Sequence, residues 1–208
     1  MPLDVVSKAN RSLSALEREC LNYSAAVSLV VFARRQSDEW HKARDAAMKR
    51  GDINVPAFKT IYDEWVFTGA RSAAMAAHDY KKIFDQVRSS INSFEPWRNV
   101  IGGRTLAKML PALTAIFPTS LHSRDSVAHP ELFVIEDHSF NEPSLGIELP
   151  DGGDGISYTL ENCLFGDIFM STFKGTVTEC PLTYKAAHDL TELTSQVMNV
   201  CRQLEHTL

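Results

Sequence analysis

Between Val66 and Ile91 the apolar residues fall at Val66, Ala70, Ala73, Ala77, Tyr80, Phe84, Val87 and Ile91, alternating four and three residues apart without a break. That rhythm marks one face of an α-helix, and a long helix with one continuous apolar stripe must lie against other helices. The middle of the stripe is alanine, which lets a neighbouring helix approach closely, while Tyr80 and Phe84 fill space further along. Gly69 inside the run costs the helix roughly 1 kcal/mol relative to alanine, a cost that fits a tight crossing at that point. The spacing predicts a helix from Pro56 to about Asn92.

Three other segments supply partners. Leu13, Leu16, Cys20, Tyr23, Val27 and Val30 trace one face of a first helix extending from about Leu13 to Arg50. Arg34 ends its apolar stripe, and Ser37-Asp38, both good capping residues, can restart the helix. The polar stretch to Lys49 keeps Trp40, Ala43, Ala46 and Ala47 as apolar contacts, and Gly51-Asp52 with Asn54-Val55-Pro56 ends it. Glu95-Pro96-Trp97 and Gly102-Gly103 break the chain twice. Leu106, Met109, Leu110, Leu113 and Phe117 then mark a third helix, kinked or restarted by Pro111 and stopped by Pro118. Ala186, Leu190, Leu193, Val197, Val200 and Leu204 define a fourth.

Between the third and fourth helices the texture changes. From Phe133 to Pro181 glycines and prolines alternate with β-formers. Ile156–Leu160, Asp167–Phe173 and Gly175–Cys180 read as short strands, with Lys174-Gly175 as a tight turn and Asn141–Asp154 as a loop. The expected fold is mainly α: a four-helix bundle with a small β-ribbon, about residues 146–181, inserted before the last helix. No repeat, low-complexity stretch or linker divides it, so 1–208 reads as one domain.

Composition narrows the function classes. The chain is 44% hydrophobic and 23% charged, ordinary for a globular protein, and no apolar run approaches the roughly 18 residues of a membrane span. The N-terminus lacks the basic-then-apolar pattern of a signal peptide, which makes a cytoplasmic location the expectation. The four cysteines, Cys20, Cys163, Cys180 and Cys201, contain no C-x-x-C pair, and Cys20 and Cys201 fall on apolar helix faces as buried thiols. The net charge of −5 argues against a broad basic face for nucleic acid. Any such role must act through a small patch or a groove built by two chains.

The segment richest in chemistry is Leu121-His122-Ser123-Arg124-Asp125-Ser126-Val127-Ala128-His129-Pro130-Glu131, between the third helix and the β-rich insert. Arginine holds phosphate through paired hydrogen bonds, and histidine moves a proton near neutral pH. Arg34 and Arg35 before His41, and Arg71 before His78, give similar spacings. Only Arg124 is followed directly by an acidic residue, and only it sits between a third helix and an insert.

A helical bundle carrying Arg124-Asp125-Ser126-Val127-Ala128-His129 late in the chain resembles the HEPN superfamily, and Pro130-Glu131 adds to the likeness. Active members of that family are metal-independent ribonucleases that work as dimers, with the motifs of two chains meeting in one cleft. The resemblance implies His129 as general acid or base for attack of a ribose 2′-hydroxyl on the adjacent phosphate. Arg124 would stabilise the charge on the phosphate oxygens, with Asp125 orienting one or the other. It implies RNA as substrate, a homodimer, no cofactor and no metal, and a toxin or defence role with an antitoxin or regulatory protein as partner. Many members have lost catalysis, so a non-catalytic binding or regulatory module is the alternative. The ordinary role of such a triplet is to pair charges at a helix start.

A second polar constellation is Arg71 and His78, seven residues apart and therefore on one side of the second helix, with Asp79 adjacent. It suggests a polar pocket for a phosphate or nucleotide, or a satisfied polar network. Glu136, Asp137 and His138 lack a metal-ligand spacing. Arg34-Arg35 and Lys81-Lys82 read as solvated helix faces.

Overall fold

The computed structural model describes residues 3–52, 61–101, 104–118, 145–147, 156–158, 163–173 and 176–205. Among these, five α-helices carry the fold: α1 (Leu3–Lys49), α2 (Ile61–Ser93), α3 (Glu95–Ile101), α4 (Leu110–Ile116) and α5 (Tyr184–Glu205). A short 3₁₀ turn at Ala107–Met109 leads into α4. Five strands lie between α4 and α5: β1 (Leu145–Ile147), β2 (Ile156–Tyr158), β3 (Cys163–Phe165), β4 (Ile168–Phe173) and β5 (Thr176–Pro181). The fold is mainly helical with a small antiparallel sheet ahead of the last helix.

The apolar stripe of α2 is buried along its whole length, from Val66 to Ile91. It packs chiefly against α1, whose Leu16, Cys20, Tyr23, Val27 and Val30 are buried in turn. Gly69 sits where the two helices come closest: a Cβ there would lie 2.7 Å from Val30 Cγ2 and 3.1 Å from the Ala26 carbonyl oxygen. The glycine is thus required by the crossing. α5 packs on α1, α3 and α4, with Ala186, Leu190, Leu193 and Val197 buried, and polar groups fix its rotation. The Tyr80 hydroxyl and Thr194 Oγ1 are 3.0 Å apart in the interior, and Thr191 Oγ1 meets Cys20 Sγ at 3.7 Å.

Helix ends follow local chemistry. Gly51, at φ 83°, lets the Gly51 and Asp52 amides donate back to the carbonyls of Met48 and Ala47 at 2.9 and 3.2 Å, which satisfies carbonyls the end of α1 would otherwise leave bare. Thr183 caps α5, its Oγ1 accepting from the Ala186 amide at 3.1 Å. Pro111 lies in the first turn of α4, so the restart expected from it is what occurs.

Several expectations are corrected. α1 does not restart at Ser37-Asp38; it is continuous, and Ser37 is buried because its hydroxyl donates to Asp63 Oδ1 of α2 at 2.6 Å. Ala43 and Ala46 are exposed rather than apolar contacts. Glu95-Pro96-Trp97 begins α3 instead of only breaking the chain, since proline suits the first turn of a helix. Trp97 is buried there and packs edge-on against Phe94. Leu145–Ile147, expected as loop, pairs as β1 with β2. Cys163–Phe165 forms β3, which had not been expected. The Lys174-Gly175 turn lies outside the described residues.

In the three-stranded sheet, order β3-β4-β5, the β3–β4 turn is Gly166-Asp167, with Gly166 at φ 52°. Phe169 pairs with Cys180 across the strands and both are buried against the helices. The Tyr23 hydroxyl donates to the Pro181 carbonyl and its ring meets Phe117 edge-on, 5.1 Å between centroids. One side chain of α1 thereby ties the sheet and the end of α4 to the bundle.

Candidate functional site

The Leu121–Glu131 segment falls, in chain order, between two described elements. α4 ends at Ile116, followed by the buried Phe117 and by Pro118, and β1 opens at Leu145. Arg124, Asp125 and His129 lie outside the described residues, as do His122, Glu136, Asp137 and His138.

Arg71 and His78 both lie on α2. Arg71 is exposed and His78 is half-buried, its Nδ1 sealed from solvent with no hydrogen-bond partner. They belong to a stripe one position round the helix from the apolar one: Arg71, Ala74, His78, Lys81, Asp85, Arg88. Lys81 is not a solvated residue, as its sequence context had suggested, but is buried, only 9% exposed. Burial pushes its ammonium below the usual lysine range, against an opposing pull from Asp85 one turn on. Asp85 itself pairs with Arg88 at 3.1 Å. No ion pair or hydrogen bond joins Lys81 to another described residue.

Arg34 also differs from expectation. It reaches the β3–β4 turn, where its guanidinium donates to Asp167 Oδ1 at 2.5 Å and to the Gly166 carbonyl. Arg35 stays exposed and pairs with Glu39 at 3.0 Å. The pair thus divides into one clamp and one solvated side chain. A further polar cluster sits where α1 passes the start of α2: His41 Nε2 is 4.0 Å from Asp63 Oδ1, and the Arg44 guanidinium stacks 5.6 Å from the Trp40 ring centre.

On another side of the α1–α2 pair an open groove of about 490 Å³ is lined by residues that include Glu19, Asn22, Leu29, Ser72, Met75 and Asp79. Leu21, Phe32, Trp65 and Met75 are large apolar side chains left at least 38% exposed on these two helices. Cys20, Cys180 and Cys201 are buried free thiols, and burial pushes Cys180 up to about 12 and Cys201 up to about 11. Such thiols are poor nucleophiles. Among the described residues no group of three His, Cys, Asp or Glu side chains is placed to hold a metal ion. No helix among them is long and apolar enough to cross a membrane.

The cationic flank of α2 was half legible: the Arg71/His78 spacing pointed to it, whereas Lys81 was masked by its neighbour Lys82. Its offset of one position from the apolar stripe was the available signal. No protein-family model, no curated protein and no solved structure matches the chain.

Proposed function

We propose that this chain is a HEPN-like, metal-independent endoribonuclease of a toxin or defence kind, acting as a homodimer through Arg124 and His129. In this reading His129 takes the proton from a ribose 2′-hydroxyl as it attacks the neighbouring phosphate, or supplies one to the leaving 5′-oxygen. Arg124 holds the phosphate oxygens by paired hydrogen bonds as negative charge gathers on them. Asp125 orients one of the two. The products are a cyclic phosphate end and a free 5′-hydroxyl.

The observation that carries the reading is the order of elements. A core of long helices is completed by α5, and the Arg124–His129 hexapeptide falls in the connection between α4 and the small sheet that precedes it. Purified protein and His129→Ala, incubated with single-stranded RNA in excess chelator, form the test. Cleavage by the first and loss of at least about a hundredfold in the second are expected for a general acid–base residue. Equal decay with both proteins, or none with either, refutes it.

One observation favours a second reading, a non-catalytic interaction module on the same scaffold. The exposed Leu21, Phe32, Trp65 and Met75 of α1 and α2 accompany a net charge of −5, a surface better suited to protein than to polyanion. Under that reading Arg124→Ala weakens partner binding with no RNA cleavage to lose.

A further inference from the structure

We propose that the grooved face of the α1–α2 pair is where a second copy of this chain docks, antiparallel, about a two-fold axis beside Ala25 and Ser72. The proposal stands on α1 and α2 alone and holds whether or not the chain cleaves RNA. It gives a homodimer a defined surface, which the Arg124–His129 segment does not.

The face is apolar and uncovered. Ten large apolar side chains are left exposed among the described residues, and five of them, Leu21, Phe32, Ile61, Trp65 and Met75, stand along it. The Phe32, Tyr62 and Trp65 rings meet edge to face across the helix pair, 6.5 and 5.6 Å between centres. The groove continues past Leu29, Ala25 and Ser72 to Met75. α5 lies against a different side of the pair, the one bearing Cys20 and Tyr80. Continuous apolar strips of this kind mark surfaces that meet another protein.

The occupant is identified by reading the face from both ends. Arg11, Arg18, Ala25, Phe32 and Glu39 are seven residues apart, so they keep to one side of α1 with a drift of about 20° per step. When a second α1 is laid antiparallel on the first about Ala25, Arg11 meets Glu39 of the second copy. Arg18 meets its Phe32, a cation over an aromatic ring, and Leu21 meets its Leu29. Ala25 meets its own counterpart, which puts the smallest side chain of the series where the two backbones pass closest.

α2 repeats the arrangement about Ser72, which lines the groove with Ala25. Trp65 comes opposite Asp79 of the second copy, an indole N–H facing a carboxylate, and Ile61 comes opposite Ile83. Each residue thus finds a suitable counterpart in both directions, as a two-fold contact requires. Glu39 already accepts from Arg35 at 3.0 Å, and a carboxylate has acceptor sites for a second guanidinium. A parallel pairing would set Arg11 on Arg11 and Glu39 on Glu39, so charge selects the antiparallel one. The size fits as well. Ile61 to Ile83 spans about 33 Å at 1.5 Å per residue, and two helices side by side are about 20 Å wide. That footprint of roughly 660 Å² approaches the roughly 800 Å² per partner of a stable complex.

Sedimentation velocity of the full chain tests the proposal, with circular dichroism confirming that each variant keeps its helices. The parent should be dimeric at about 10 µM, within the range such interfaces reach. Ala25 is exposed, so Ala25→Arg leaves the fold intact while setting two like charges against each other on the axis. It should weaken the dimer at least about a hundredfold. Arg11→Glu and Glu39→Arg should each weaken it about tenfold, and the two together should restore it to within about threefold.

A parent that is monomeric at about 100 µM, far above the range of specific complexes, overturns the proposal and leaves the face to a different protein. A dimer that Ala25→Arg does not weaken overturns it too, since the copies then meet elsewhere. Single charge reversals without effect, or a double reversal without recovery, overturn the antiparallel register. His129→Ala should dimerise as the parent does, so failure of the nuclease reading leaves this result standing. A monomeric parent that cleaves RNA would sink the docking face alone.

Discussion

Gly69→Ala is a stringent test of the α1–α2 crossing because two effects of similar size oppose each other. Replacing glycine by alanine within a helix ordinarily stabilises it by about 1 kcal/mol. Here the added methyl would stand 2.7 Å from Val30 Cγ2, 3.1 Å from the Ala26 carbonyl oxygen and 3.3 Å from the Val30 amide nitrogen. Comfortable carbon–carbon separation is about 3.5–4.0 Å, so the overlap with Val30 is close to 1 Å. Val30 is fully buried and β-branched, hence stiff at χ1, and the two backbone atoms can move only if the helices part. Overpacking of this kind costs about 1–3 kcal/mol. Set against the helical gain, the net is about 0–2 kcal/mol of destabilisation, and 1 kcal/mol lowers Tm by about 2–4 °C in a chain of this size. Urea unfolding of Gly69→Ala, Val30→Ala and the double variant measures it. The double variant should be more stable than the sum of the single effects by about 1 kcal/mol, since the new methyl enters space that Val30 vacates. A Gly69→Ala protein more stable than its parent by about 1 kcal/mol would show that the crossing is not close, and the account of the core would have to change.

Other outcomes can be checked more briefly. Stability should fall as pH rises above about 9. Burial raises Cys180 and Cys201 to about 12 and 11, above the ordinary thiol range, and lifts Tyr23 and Tyr80 above the ordinary phenol range as well. Over that window the unfolded chain releases protons that the folded one keeps, so unfolding is favoured progressively. Lys81, lowered by burial, acts in the opposite sense, and a urea midpoint that stays flat or rises from pH 9 to 11 would contradict the prediction. Cys20, Cys180 and Cys201 should react with a thiol reagent only in denaturant, as read by mass mapping of the labelled peptides. Arg34→Ala should cost no more than about 1 kcal/mol, as suits an ion pair whose carboxylate stays open to solvent. It should nevertheless speed amide hydrogen exchange around Gly166 and Asp167, and unchanged exchange there would remove the clamp.

The parts of the fold that could be read from sequence are those where burial is one-sided over many turns. α2 and α5 declare themselves because each apolar residue repeats in phase with the helix. The part of α1 beyond Ala33 does not, since its one buried residue, Ser37, is held by a hydrogen bond to Asp63, which no local pattern announces. β1 and β3 span three residues each, too few for alternation to register. Pro96 is compatible with both the end of one helix and the first turn of the next, and only the burial of Trp97 decides. The role of Arg34 depends on a turn more than a hundred residues away in sequence. For the Arg124–His129 segment, sequence supplies the chemistry and the position in the chain order. The mutual orientation of the two side chains is a tertiary property that residue types do not encode by themselves.

The antiparallel pairing of α1 with α2 has a consequence for how the chain is made. Both helices are consecutive, so they can associate as soon as they leave the ribosome, through contacts of modest sequence separation. The side of that hairpin bearing Leu16, Cys20 and Tyr80 is roofed by α5, which is synthesised after the entire sheet. During that interval a nascent polypeptide displays a greasy, preformed docking face, the kind of surface that chaperones hold and that aggregates through when translation stalls.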